Sequence, residues 1–138
     1  MKIYFAASIR GGREDAELYL QIVAHLKKKG EVLTEHVGNK DLTACGEQEL
    51  GNQYIHDRDL EWLLASKVIV AEVTVPSLGV GYELRMAEEH HKNILALYRP
   101  QAGKSLSPMI SGSPAITIKE YSTLEEAKRM IDDYFLTL

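Results

Sequence analysis

The sequence is poor in the features that usually identify a binding or catalytic class at sight. It has one cysteine, Cys45, in 138 residues, so no internal disulfide can form. That suits a reducing compartment, and a cytoplasmic location, extending to the nucleus, is expected. No stretch approaches the ~20 apolar residues of a membrane span, and no signal-peptide pattern opens the chain. There is no basic excess. Sixteen Lys and Arg against 20 Asp and Glu give a net charge of −4, which argues against a nucleic-acid polymer as partner. The run Lys27–Lys28–Lys29 reads as the cationic end of a helix. No GK[ST] follows a glycine-rich loop, no GxGxxG is present, and no HExxH occurs. His90 and His91 are adjacent, about 100° apart on a helix, so no metal site is expected. Repeats, low-complexity tracts and linkers are also missing, so residues 1–138 are expected to form one domain. A chain of this length buries roughly 68% of its unfolded surface without a metal or disulfide.

What is present is an alternation of strand and helix patterns. Ile3–Ala7 reads as a buried strand. Tyr19, Ile22, Val23 and Leu26 then have helical spacing, ended by Gly30. Strands are expected over residues 31–37, 67–74, 93–98 and 115–120. Helices are expected over 54–66, 82–91 and 123–135. Loops are expected over 38–52, 75–81 and 99–114. The run KVIVAEVT is nearly all apolar, as in strands covered on both faces. The expected fold is a three-layer α/β, Rossmann-like (flavodoxin-like) domain with a five-stranded parallel sheet of order 2-1-3-4-5. Ligands then bind beyond the carboxyl ends of the strands, where the chain reverses between strands one and three.

Two glycine-rich loops meet at that point, SIRGGRED after the first strand and TVPSLGVGYE after the third. Ser8, Arg10, Gly11 and Gly12 lie where strand becomes helix, so free amides and a helix end favour an anion there. Arg10 can grip a phosphate or carboxylate bidentately. Ser77 and Gly79 supply donors from the other side. A single phosphate fits better than a triphosphate; the ordinary alternative is that the glycines only make turns. Glu83 is expected in the first turn of the third helix. There the dipole stabilises an acid and keeps it ionised, as a carboxylate nucleophile requires. Asp59 falls on the inward face of the second helix, where a carboxylate needs partners. Tyr4 lies near the cleft floor. His36 can stack on a ligand ring, although a surface role is the more ordinary one, and Cys45 has no recognisable catalytic partners.

Taken together, YFAASIRGGRED, LTEHV, IHDRDLEWL, VIVAEVT, PSLGVGYEL and SPMI resemble the 2′-deoxynucleoside 5′-phosphate N-hydrolase family, within the wider nucleoside 2-deoxyribosyltransferase group. The resemblance spans nearly the whole chain. It implies a homodimer that cleaves the base–deoxyribose bond of deoxynucleoside monophosphates without metal or organic cofactor. It also implies Glu83 as nucleophile, with Tyr4 and Asp59 beside the sugar and the catalytic acid. The implied phosphate ligands are Ser8, Arg10 and Ser77, with backbone groups of Ile9, Gly11 and Gly79. Ser107, beside Met109 on the 99–114 loop, is implied to reach the partner subunit's phosphate. Ala7 stands where many relatives have glycine, and Pro108 where alanine is expected. Asp59 as acid, as an orienter of Glu83 or as a sugar ligand all remain open. So do transfer of deoxyribose to another base, a ribonucleotide preference, and a nucleotide sensor without turnover.

Overall fold

The β-branched and aliphatic content of the strand segments is matched by where they lie. A computed structural model describes residues 1–9, 15–33 and 51–138. Its strands are β1 (Lys2–Ala6), β2 (Glu31–Val32), β3 (Val68–Glu72), β4 (Asn93–Tyr98) and β5 (Ile116–Glu120). Its helices are α1 (Ala16–Leu26), α2 (Asn52–Ala65), α3 (Leu78–Glu89), α4 (Pro108–Ser111) and α5 (Leu124–Phe135). The strands pair in parallel in the order β2-β1-β3-β4-β5, as expected from the sequence.

Strand parity sorts the core into two halves. Ile3, Phe5, Val68, Val70, Leu95 and Leu97 point to one face and pack with Tyr19, Ile22 and Leu26 of α1 and Ile131 of α5. Tyr4, Ala6, Ile69, Ala71, Ile94 and Ala96 point to the other and meet Leu63 of α2 and Val80, Leu84 and Ala87 of α3. All five residues of β3 are buried, because the central strand has helices on both faces.

Several boundaries differ from the expected ones. β2 is an edge strand of two residues, paired only through Lys2–Glu31 and Ile3–Val32; positions 34–37 of the expected strand lie outside the described residues. α1 ends at Leu26, and Gly30 does not terminate it by a left-handed turn. Glycine is needed there for close approach, since a Cβ would lie 2.2 Å from Met1 O. α3 begins at Leu78, not at residue 82. The Ser77 Oγ accepts from Val80 N at 3.3 Å and caps the helix, so Gly79 and Gly81 are helical despite their poor intrinsic propensity. The 99–114 connection contains α4. Pro108 occupies its first turn, where a missing N–H costs nothing, and Ser107 caps it.

Candidate active site

The carboxyl ends of β1 and β3 are neighbours, so the segments that follow them face one another. Ser8 follows β1 directly. It is fully buried, and its Oγ has no hydrogen-bond partner among the described residues. A buried hydroxyl in that state is costly unless something else engages it. Ile9 packs its side chain against the α1/α5 core, which leaves only its backbone for a ligand. Arg10, Gly11 and His36 lie outside the described residues, as does Cys45.

The opposing segment runs from Thr74 to Ser77 and into α3. Accepting from Val80 leaves the Ser77 hydroxyl free to donate to an anion. The amides of Leu78 and Gly79 stand in the first turn of α3 and have no intrahelical acceptor. A Cβ at Gly79 would lie 3.8 Å from Ser77 Oγ and 4.0 Å from Glu83 Oε1. Gly79 therefore lies between the capping serine and the carboxyl, at ordinary contact distance from both.

Tyr4, Asp59 and Glu83 come from β1, α2 and α3 and converge on one side of the sheet. The Tyr4 phenol, 1% exposed, faces the Glu83 carboxyl. Its pKa is driven far above the ordinary phenol range by burial and then by the charges of Glu83 and Asp59, so it stays a donor. Glu83 has its pKa raised from 4.5 to about 7. Burial is the main cause, the Tyr4 phenol opposes it, and Asp59 adds to it. This corrects the dipole argument. Glu83 is the sixth residue of α3, beyond the first turn, and desolvation outweighs any stabilisation by the helix end. Asp59 is held by Arg58, whose Nε and Nη2 donate to Oδ1 at 3.0 and 2.9 Å. The Arg58 guanidinium lies 4.7 Å from the Trp62 ring centroid. The sequence reading passed over Arg58, although it stands between the two aspartates of HDRD.

Ser107 and Met109 are not in this cluster. They line a cavity of about 720 Å³ on the opposite flank of α3, with Ser77, Leu78, Leu106 and Ile110. Ser107 Oγ accepts from Met109 N at 3.2 Å, and Met109 is 81% exposed. Glu83, Tyr4 and Asp59 do not line that cavity. Ser77 therefore stands between the two spaces.

Comparison with known proteins agrees with the fold. A 5-hydroxymethyl-dUMP N-hydrolase from Esox lucius is 51% identical over 98% of this chain and 96% of its own. One from Homo sapiens is 50% identical over 96% of this chain and 78% of its own. Among solved structures, the CMP N-glycosidase BcmB of Clostridium botulinum superimposes with a TM-score of 0.70. That likeness covers 97% of this chain and 99% of the other at 17% identity, which speaks for the fold. Residues 3–126 match the nucleoside 2-deoxyribosyltransferase family, and the chain belongs to that family.

Proposed function

We propose that the protein hydrolyses the N-glycosidic bond of 2′-deoxynucleoside 5′-monophosphates, releasing a free base and 2-deoxyribose 5-phosphate. The observation that carries this reading is the Tyr4–Glu83 pair, set beside Asp59 and separated from Ser77 by Gly79. The names of the relatives at about half identity point to the same bond. The phosphate is bound by Ser8, Ser77 and the first amides of α3, together with Arg10 and Gly11. Fixing the sugar at its 5′ end turns the attack into an intramolecular event.

In the proposed mechanism an ionised Glu83 oxygen attacks C1′ as the C1′–N bond breaks through an oxocarbenium-like state. The bonding pair leaves with the base, which takes up a proton. Water then opens the glycosyl–Glu83 ester and restores the carboxylate, so configuration is retained. Tyr4 donates to the carboxylate and orients it. Asp59, held by Arg58, stands beside the sugar and opposes a second negative charge at Glu83. The decisive experiment incubates the protein with a panel of nucleoside monophosphates, including 5-hydroxymethyl-dUMP, and follows free base by chromatography. Absence of base from every deoxynucleotide would leave a binding protein only.

The same reading includes a two-fold partner. Leu78 is 97% exposed and Met109 81% exposed, both on the apolar cavity beside α3. A second copy covering them would bring its Ser107 hydroxyl to the neighbouring phosphate site. Mixing Glu83→Ala with Ser107→Ala protein tests this, since subunit exchange should return activity in sites that combine the intact residues. A monomer at working concentration excludes it.

A further inference from the structure

On the α1/α5 side, the ends of β3 and β4 are joined to the start of α1 by contacts that the proposed chemistry does not use. Asp15 is the N-cap residue of α1, where an aspartate ordinarily accepts from the helix's own second or third amide. Here its side chain makes no capping bond. It turns instead to Arg99, 84 residues away, whose Nη2 donates to Asp15 Oδ2 at 2.9 Å. Arg99 directly follows β4. Its backbone N–H donates to Thr74 Oγ1 at 2.9 Å, and the Thr74 N–H donates to Glu72 Oε1 at 2.7 Å. Glu72 is fully buried, and the Tyr121 phenol faces it. The Arg99 and Asp15 side chains are 24% and 18% exposed, so their pair is less screened than one on the open surface.

One residue therefore holds two positions that flank the proposed phosphate site in the chain, Asp15 and Thr74. The guanidinium holds Asp15, which opens the helix after the Ser8 segment. The backbone amide holds Thr74, which opens the segment leading to Ser77. Donors for one phosphate must keep a fixed separation, and sub-ångström drift weakens such a site.

We propose that Arg99 is a positioning residue, which by bracketing Asp15 and Thr74 keeps the Ser8 and Ser77 segments at the separation that a 5′-phosphate requires. This inference rests on the phosphate reading above. Steady-state kinetics on a deoxynucleoside monophosphate and on the same deoxynucleoside without phosphate test both. Arg99→Ala keeps the backbone bond to Thr74 while removing the hydrogen-bonded arm to Asp15 and the cation near Glu72. It should raise KM for the monophosphate roughly tenfold, change kcat little, and leave kcat/KM for the unphosphorylated compound unchanged. Asp15→Asn, which retains a good N-cap residue and so protects folding, should act in the same direction. The double variant should be no worse than Arg99→Ala, because both changes remove one interaction. Arg99→Lys should recover part of the loss. Equal losses on both substrates, or losses that multiply in the double variant, would overturn the positioning role. A wild-type protein with no preference for the phosphorylated substrate would overturn the phosphate reading and this inference together. Preference retained in full by both single variants would overturn the inference alone.

Discussion

Two glutamates stand near the carboxyl ends of the strands, one on each face of the sheet, one fully and the other partly buried. Glu83 on the α2/α3 side and Glu72 on the α1/α5 side both have their carboxyl pKa raised, in each case chiefly by burial. Glu72 has no exposed surface and accepts the Thr74 amide, with Arg99 as its nearby cation. Glu83 is only partly buried, lies beside Gly79, and faces a phenol and a second acid. Desolvation alone thus does not mark a reactive carboxyl. What separates the two is access and the kind of partner: a backbone amide and an arginine make an anchor, whereas a phenol and partial exposure leave an oxygen able to react.

The largest expected effect breaks the comparison on the reactive side. Glu83→Gln keeps shape and hydrogen-bonding but cannot form the ester, so turnover should fall ~10³-fold or more while nucleotide binding persists. Single-turnover kinetics and calorimetric binding would check this, and near-wild-type turnover would remove Glu83 from the mechanism. On the anchoring side, Glu72→Ala strands the Thr74 amide and opens a cavity. It should cost about 1–3 kcal/mol of stability in denaturant unfolding, with kcat at saturating substrate changing far less than in Glu83→Gln.

Ser8→Ala deletes a buried hydroxyl that has no described partner, so thermal stability should hold or rise slightly. KM for the monophosphate should nevertheless rise several-fold. A stability loss without a KM change would assign Ser8 to packing.

The smallest effect is on pH dependence. With Glu83 near 7 in the free protein, kcat/KM should rise with pH through about 7. The Tyr4 phenol lowers that pKa, so Tyr4→Phe should move the limb upward; a downward move would contradict the pairing. Stability follows the same group. The native pKa lies above the unfolded one, so the favourable contribution of protonated Glu83 is complete below about 4.5 and is lost as pH rises through about 7. The melting temperature of Glu83→Gln should therefore gain on that of the wild type between pH 5 and pH 8.

The sequence by itself determined the layer architecture. The period-two and period-3.6 patterns set which faces are apolar, and right-handed crossovers left little choice of strand order, which is the order observed. It also determined that the chain would leave β1 and β3 side by side, because strand order alone makes those strands neighbours. Only the tertiary structure decided where α3 begins. Gly79 and Gly81 read as loop on propensity, and the Ser77 cap overrode them. It likewise decided the ionisation of Glu83, which a local dipole argument set too low, because desolvation depends on atoms from β1 and α2 distant in sequence. The Glu72–Thr74–Arg99–Asp15 chain was hidden for the same reason. A glutamate within VIVAEVT is visible in the sequence, but its partners are set by two strand ends and a helix start meeting in space, and no local pattern encodes a contact across 84 residues.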